Sequence, residues 1–255
     1  MYAENFNLDD YMARIGYQGS RVANAETLAA IMRQQLFTIP FENLDVQAGK
    51  VVSMVPEEIV EKIIYKQRGG YCYEVNGLLA MALTALGFDY TFIGARPMFY
   101  PARRPKTHMV LCVKASGQEW ICDTGFGSFG IRAPLSLSVI DKDIVQDDDT
   151  FKLIMPVPNQ YIVQALVDGE WVNQYGFDLY AHEWIDFLPA NFLNSKHPDA
   201  IFVQKLLVIM HSERGRKILL GNRLKIIEKG VTQVRDLSEQ EVRDLVENEF
   251  KIMVD

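Results

Sequence analysis

Hydrophobic and polar positions change their rhythm twice along this chain of 255 residues. Up to about residue 87 the apolar positions recur at helical spacing. After Asn24, the residues Leu28, Ile31, Met32 and Leu36 fall on one face of a run from Ala25 to Phe37, and Pro40 stops it. A short helix is predicted after Val55, where Pro56 at an early position and Glu57-Glu58 in the first turn suit the N-terminal end of a helix dipole. A third begins after Gly69-Gly70, with Val75, Leu78, Leu79, Ala82 and Leu86 along one stripe and Gly87 as its terminator.

From Phe88 to about Ile185 the period shortens to that of strands. Tyr90–Ala95, His108–Ala115, Trp120–Thr124, Lys152–Met155, Tyr161–Val167 and Glu170–Tyr175 are separated by turn signals such as Ser116-Gly117 and Asp168-Gly169. An antiparallel sheet or barrel is expected there. The tail after Pro189 is mixed: Lys225-Ile226-Ile227 reads as a strand, and Ser238 with Glu241 forms a capping box ahead of a helix reaching Phe250. The acidic run Asp147-Asp148-Asp149 reads as a solvated turn between strands.

Hydrophobic residues at 49% and charged residues at 23% support a real core, and 26 basic against 33 acidic side chains leave a net charge of −7. Nucleic acid or an anionic membrane is therefore not the expected partner, since phosphate contacts need clustered positive charge. The acidic N-terminus does not read as a signal peptide, and no apolar run reaches the ~18 residues of a membrane span. With three cysteines, Cys72, Cys112 and Cys122, the expectation is a soluble protein of a reducing cytosol, whose thiols are reactive or buried rather than bridged. No pair of Cys or His residues has a zinc-ligand spacing.

Gly125-Phe126-Gly127-Ser128-Phe129-Gly130 matches the dinucleotide pattern G-x-G-x-x-G, but Pro134 stands where the required helix would run and no βαβ unit surrounds it. A loop that admits close backbone approach is the better reading, and a nucleotide-dependent oxidoreductase the weaker one. Cys72 opens a predicted helix, where unpaired N–H groups favour a thiolate, and its stripe points the sulfur inward. A nucleophile needs a base and an orienting acceptor. If Ser116-Gly117 is a two-residue hairpin turn, Ala115 faces Gln118, Val110 faces Asp123, and Asp123 lies diagonal to His108 on one face, within side-chain reach. The same register sends Cys112 and Cys122 to opposite faces, which argues against a bridge between them and leaves both as packing residues. His182, His197 and His211 read as surface or structural.

The segments Arg68-Gly69-Gly70-Tyr71-Cys72-Tyr73-Glu74-Val75-Asn76-Gly77, Ile39-Pro40-Phe41-Glu42-Asn43-Leu44, the His108 strand, Cys122-Asp123-Thr124-Gly125-Phe126-Gly127 and Ala190-Asn191-Phe192-Leu193-Asn194-Ser195-Lys196-His197-Pro198-Asp199 together resemble the arylamine N-acetyltransferases over nearly the whole chain. The resemblance implies an α+β, cysteine-protease-like fold in three parts: a helical bundle (1–87) carrying Cys72, an antiparallel β-barrel (88–188) carrying His108 and Asp123, and an α/β lid (189–255). It implies acetyl transfer from acetyl-coenzyme A to an arylamine, arylhydroxylamine or hydrazine, with Cys72 as acyl carrier, His108 as general base and Asp123 as orienting carboxylate, and no metal. It further implies that Phe41, Gly125, Phe126 and Gly127 border the substrate pocket and that Glu42 pairs with Arg68. Because the overall charge is negative, the phosphates of coenzyme A are expected to rely on local donors: Gly125, Gly127, Arg103 and Arg104. Thr124 stands where valine is more usual, the chain is short for the family, with the shortfall in the lid, and the long insertion of eukaryotic members is absent, which points to a bacterial-type donor site. Either a monomer or a homodimer is compatible with these features. An amide synthase or other acyltransferase on the same residues and a non-catalytic small-molecule binder are the alternatives.

Overall fold

The computed structural model describes residues 1–253. Its first third is helical: α1 (Leu8–Ile15), α2 (Ala25–Thr38), α3 (Leu44–Gln47), α4 (Pro56–Val60) and α5 (Cys72–Ala85). Helix α1 did not stand out in the periodicity, although Asn7 caps it by accepting from the Asp9 and Asp10 amides and Gly16 ends it at φ 69°. Asn24 caps α2 through the Thr27 amide, and α4 runs on as a wider π-helical turn over Glu61–Tyr65. Helix α5 is not the one-sided stripe its spacing suggested: every residue from Cys72 to Leu83 is buried, polar Glu74 and Asn76 included. It is the central post of the molecule, covered on all sides, and Gly87 (φ 79°) terminates it.

An eight-stranded antiparallel sheet follows, a half-barrel in the order β5-β4-β3-β2-β9-β8-β7-β6. Its strands are β2 (Asp89–Pro97), β3 (His108–Ala115), β4 (Gln118–Cys122), β5 (Leu135–Ser136), β6 (Ile144–Gln146), β7 (Asp149–Val157), β8 (Gln160–Val167) and β9 (Glu170–His182). Ser116 and Gly117 both take positive φ (51° and 76°), the two-residue hairpin turn whose twist matches its strands. That turn sets Ala115 opposite Gln118 and Leu111 opposite Cys122, the register expected. Strand β4 ends at Cys122, so Asp123 is the first residue beyond it rather than its last. Cys112 faces Ile121, and all three cysteines are free thiols.

The last third contains α6 (Leu188–Lys196), α7 (Ile201–Gln204), four strands, β10 (Leu207–Ser212), β11 (Gly215–Leu220), β12 (Arg223–Glu228) and β13 (Val231–Asp236), and α8 (Glu239–Asp244) with its Ser238–Glu241 capping box. These strands form an antiparallel sheet whose edge is β1, the dipeptide Phe41–Glu42 from the first third. Three apolar clusters result. The largest lies between the helices and the half-barrel, and one sits inside the last third. The other gathers Phe41, Tyr71, Cys72, Tyr73, Met109, Phe187 and Ile209, so Cys72 stands where all three thirds of the chain meet.

The acidic run is the expected turn between strands, with Asp147 and Asp148 exposed between β6 and β7, but Asp147 and Asp149 are also tied into ion pairs. Buried Arg132 bonds Asp147 at 2.8 Å and Asp149 at 3.2 Å, Arg33 bonds Asp147 at 2.6 Å, and buried Arg216 also takes Asp149. Two guanidiniums removed from water demand carboxylates, and this run supplies them.

Candidate active site

Cys72 is the first residue of α5, directly after the Tyr71 cap, whose amide is held at 3.0 Å by Glu74 Oε2. The loop before it is braced by Arg68, which donates to Glu42 Oε1 from Nε (2.9 Å) and Nη2 (2.7 Å), the pairing expected of these two residues. Below it Lys62 binds Glu74 (2.6 Å) and Asp45 (2.7 Å). Charge compensation under the loop keeps the start of α5 fixed.

His108, first residue of β3, bonds Asp123 Oδ2 through Nε2 at 2.7 Å. The other carboxylate oxygen accepts from Asn76 Nδ2 (3.0 Å) and the Gly125 amide (2.8 Å). Asp123 is 1% exposed and His108 4%, so the pair is buried, and a carboxylate acceptor calls for the N–H on Nε2 of the ring. The imidazole is flanked by Phe126 (ring centroids 5.1 Å apart) and Tyr175 (5.2 Å). Burial and the Asp123 charge hold the Tyr175 phenol well above its ordinary range, so it stays protonated beside the carboxylate.

Asn76 ties α5 to this pair. Its Nδ2 also donates to the Met109 carbonyl (2.7 Å), while its Oδ1 accepts from the Thr124 amide (2.8 Å) and hydroxyl (3.0 Å). Gln35 of α2 donates to Thr124 Oγ1 at 2.9 Å and accepts from Tyr11 at 2.8 Å. The threonine that departs from the usual valine is thus a satisfied link in a buried chain from α1 to Asp123.

Cys72 and His108 line one cavity of about 290 Å³, walled by Phe41, Phe99, Tyr100, Phe126 and Phe202, with Gly125, Arg104, Asn194, His197 and Asp199 also on its lining. Gly125 touches the Cys72 backbone: a Cβ there would lie 2.5 Å from Cys72 Cα, so only glycine fits. Of the other expected contacts, Phe41, Phe126 and Arg104 face the cavity. Gly127 does not; at φ +96° it packs against Ile209. Arg103 borders an adjoining groove with Arg96 and Lys106.

Burial pushes the Cys72 thiol well up, Asp123's charge adds to this, and the backbone N–H groups of Met109 and Tyr73 pull it back. Desolvation at this position outweighs the field of the helix N-terminus, which by itself would favour the thiolate. An ionised sulfur at this position therefore needs a cation beside it, and the histidine on the same cavity is the group that can supply one.

Sequence reasoning missed Asn76 and Tyr175, whose roles depend on which way α5 and β9 turn. It also set aside two histidines. His197 lines the cavity, and His211, 3% exposed, donates from Nε2 to the Gly127 carbonyl at 3.0 Å. Only His197, inside the motif that carried the resemblance, had a signal pointing to it.

Comparison with known proteins gives the family. A family profile described as N-acetyltransferase matches residues 24–255. The arylamine N-acetyltransferase of Escherichia coli (strain K12) is 33% identical over 219 residues, 84% of this chain and 76% of that protein. The chain belongs to the arylamine N-acetyltransferase family. The structure of the M. tuberculosis member superposes with a TM-score of 0.92 at 30% identity, covering 96% of this chain and 94% of the other. A Mycobacterium marinum member solved in complex with CoA superposes at 0.91 and 29% identity, covering 96% and 93%. The family is one of acyltransferases, and its three-part α+β fold is the one described above. No helix among the described residues is long and apolar enough to cross a membrane.

Proposed function

We propose that this chain moves an acetyl group from acetyl-coenzyme A to an arylamine, arylhydroxylamine or hydrazine in two steps through an acetyl-Cys72 intermediate. One observation carries the reading: His108 bonds Asp123 through Nε2 on the cavity that also receives Cys72. In the first step Nδ1 takes the thiol proton, the sulfur attacks the thioester carbonyl, and coenzyme A leaves as its thiol, taking the proton back from the imidazolium. In the second, the amine attacks the acetyl-cysteine, Nδ1 accepts the amine proton, and collapse of the tetrahedral intermediate returns it to the sulfur. Each step exchanges one acyl bond for another, so the protein's task is orientation and charge stabilisation. The imidazolium offsets the burial that otherwise keeps the thiol protonated.

At about 290 Å³ the cavity is at the small end of the ~300–1,000 Å³ typical of ligand sites. A flat aromatic amine against Phe41 and Phe126 fits it; the bulk of coenzyme A does not. The adjoining groove carries Arg96, Arg103 and Lys106 and shares Pro97 and Tyr100 with the cavity, and Arg104 stands between them. Its basic side chains suit the donor's phosphates, and the CoA bound by the M. marinum relative supports a donor of this kind. In this reading residues 1–87 supply the nucleophile, 88–188 the base and carboxylate, and 189–255 the cover over the cavity, in a reducing cytoplasm that keeps the three thiols free. A role in clearing foreign aromatic amines fits an aromatic-walled site with few polar contacts.

Incubation with acetyl-coenzyme A alone, followed by intact mass measurement, tests the proposal. A single acetyl adduct is expected, absent in Cys72→Ala and discharged by added arylamine. No Cys72-dependent adduct would sink it, and an adduct only with another acyl thioester would favour an amide synthase.

A further inference from the structure

Two buried side chains of the C-terminal sheet reach out of it to the glycine loop. His211 on β10 and Arg216 on β11 are cross-strand partners, 3% and 2% exposed. Each spends its hydrogen bonds on a different part of the chain: His211 Nε2 donates to the Gly127 carbonyl, and Arg216 Nη1 to the next carbonyl, that of Ser128. The Arg216 guanidinium also lies 4.5 Å above the Phe129 ring. Neither side chain is fully satisfied, since His211 Nδ1 and Arg216 Nε have no hydrogen-bond partner. Two incompletely paired polar groups in an interior are costly compared with apolar residues of similar volume, so the sheet's own stability does not account for them.

What they hold is one residue from the reacting groups. Immediately before Gly127, Phe126 lies against the His108 ring, and the Gly125 amide donates to Asp123 Oδ1. Apart from His211, the only backbone bond on the Gly127 carbonyl among the described residues comes from the Gly130 amide, at 3.2 Å. The clamp is itself anchored to the half-barrel. Arg216 binds Asp149, which also binds Arg132, and Arg132 reaches the Ser212 and Gly215 carbonyls at the end of the β10–β11 hairpin.

We propose that His211 and Arg216 are positioning residues for acetyl transfer: they fix the backbone of residues 125–130 so that Phe126 and Gly125 hold His108 and Asp123 in register with Cys72. The C-terminal sheet is then more than a cover, because it sets the geometry of the base from behind. This rests on the reading of Cys72, His108 and Asp123 as the reacting set.

The test compares the intact protein with His211→Leu, which removes the donor, His211→Gln, which keeps an N–H at similar reach, and Arg216→Lys. Three quantities are read at a temperature well below each unfolding transition: the rate of Cys72 acetylation by acetyl-coenzyme A, the pH dependence of Cys72 alkylation by iodoacetamide, and exchange of the Gly130 amide. His211→Leu is expected to acetylate roughly ten-fold more slowly, a modest loss for misplaced reacting groups. Its alkylation profile should move to higher pH and its Gly130 amide should exchange faster, while His211→Gln recovers most of each and Arg216→Lys falls between. A purely structural role would lower the melting temperature and leave the alkylation profile in place. A folded His211→Leu with unchanged rate and profile overturns the proposal, as does a His211→Gln no better than His211→Leu. Should His211→Leu not fold, an unchanged rate and profile in Arg216→Lys overturns it. Absence of a Cys72 adduct in the unaltered protein is a different failure, that of the acetyl-cysteine reading, whatever the variants do.

Discussion

Acidification should destabilise this protein through His211. Burial first, then the positive charges of Arg216 and Arg132, bring its imidazole down to about 3, only partly offset by the bond to the Gly127 carbonyl. An exposed histidine in the unfolded chain titrates near 6.5. The unfolded state therefore binds a proton that the folded state refuses, so the contribution is intact above pH 6.5 and declines as pH falls from there towards 3. The interval between 6.5 and about 3 corresponds to an upper limit of ~5 kcal/mol, of which ~2 kcal/mol is lost by pH 5. Asp149 and Asp147 are each already paired with arginine and do not supply the missing anion. Urea unfolding of the intact protein and of His211→Gln at about pH 7.5, 6 and 5 measures the effect as a difference in slope. The intact protein should lose about 2 kcal/mol more than the variant across that span. Parallel loss in both would refute the reasoning, because it would mean that His211 accepts a proton where it sits or is relieved by local opening.

Other expectations follow from single contacts. Asp123→Asn should fold normally yet lower acetylation by roughly 10³-fold, because an amide favours the wrong histidine tautomer; single-turnover kinetics with acetyl-coenzyme A reads this directly. Gly125→Ala places a methyl 2.5 Å from Cys72 Cα, so activity should fall by roughly 10²-fold, with a shifted alkylation rate at Cys72 as the check. Arg132→Met leaves Asp147 and Asp149 in a half-buried site short of one cation; a loss of ~3–5 kcal/mol in denaturant unfolding is expected. Thr124→Val, which restores the usual residue, should cost no more than ~1 kcal/mol and leave turnover within about two-fold, because the Thr124 amide still bonds Asn76 and Gln35 keeps the Val75 carbonyl.

The contrast between Asp123 and Asp147 explains how far the sequence could be read. A hairpin register is a local rule: two positive-φ turn residues fix every cross-strand pair, so the turn at Ser116-Gly117 was enough to bring His108 and Asp123 together. The helices at Asn24, Pro56 and Cys72 and the capping box at Ser238 were legible for the same reason, since caps and stops act within one turn. The turn at Asp147-Asp148 obeys the same local rule, with Asp147 at φ 57°, but its ion pairs do not. They come from Arg33 and Arg132, 114 and 15 residues away, so the run of three acids showed its turn and not its partners. Strands β11 and β13 were missed because charged residues break up their apolar runs: Lys217 lies in β11, and Arg235 in β13, a strand exposed along its whole length. The same distance in sequence hid the desolvation of Cys72. A helix start predicts a stabilised thiolate, but the residues that close over it come from β1, β3 and α7, and their combined burial reverses the sign. The place of Cys72 at a helix start was therefore readable from its own segment, whereas the burial of its sulfur follows only from how the three thirds of the chain converge.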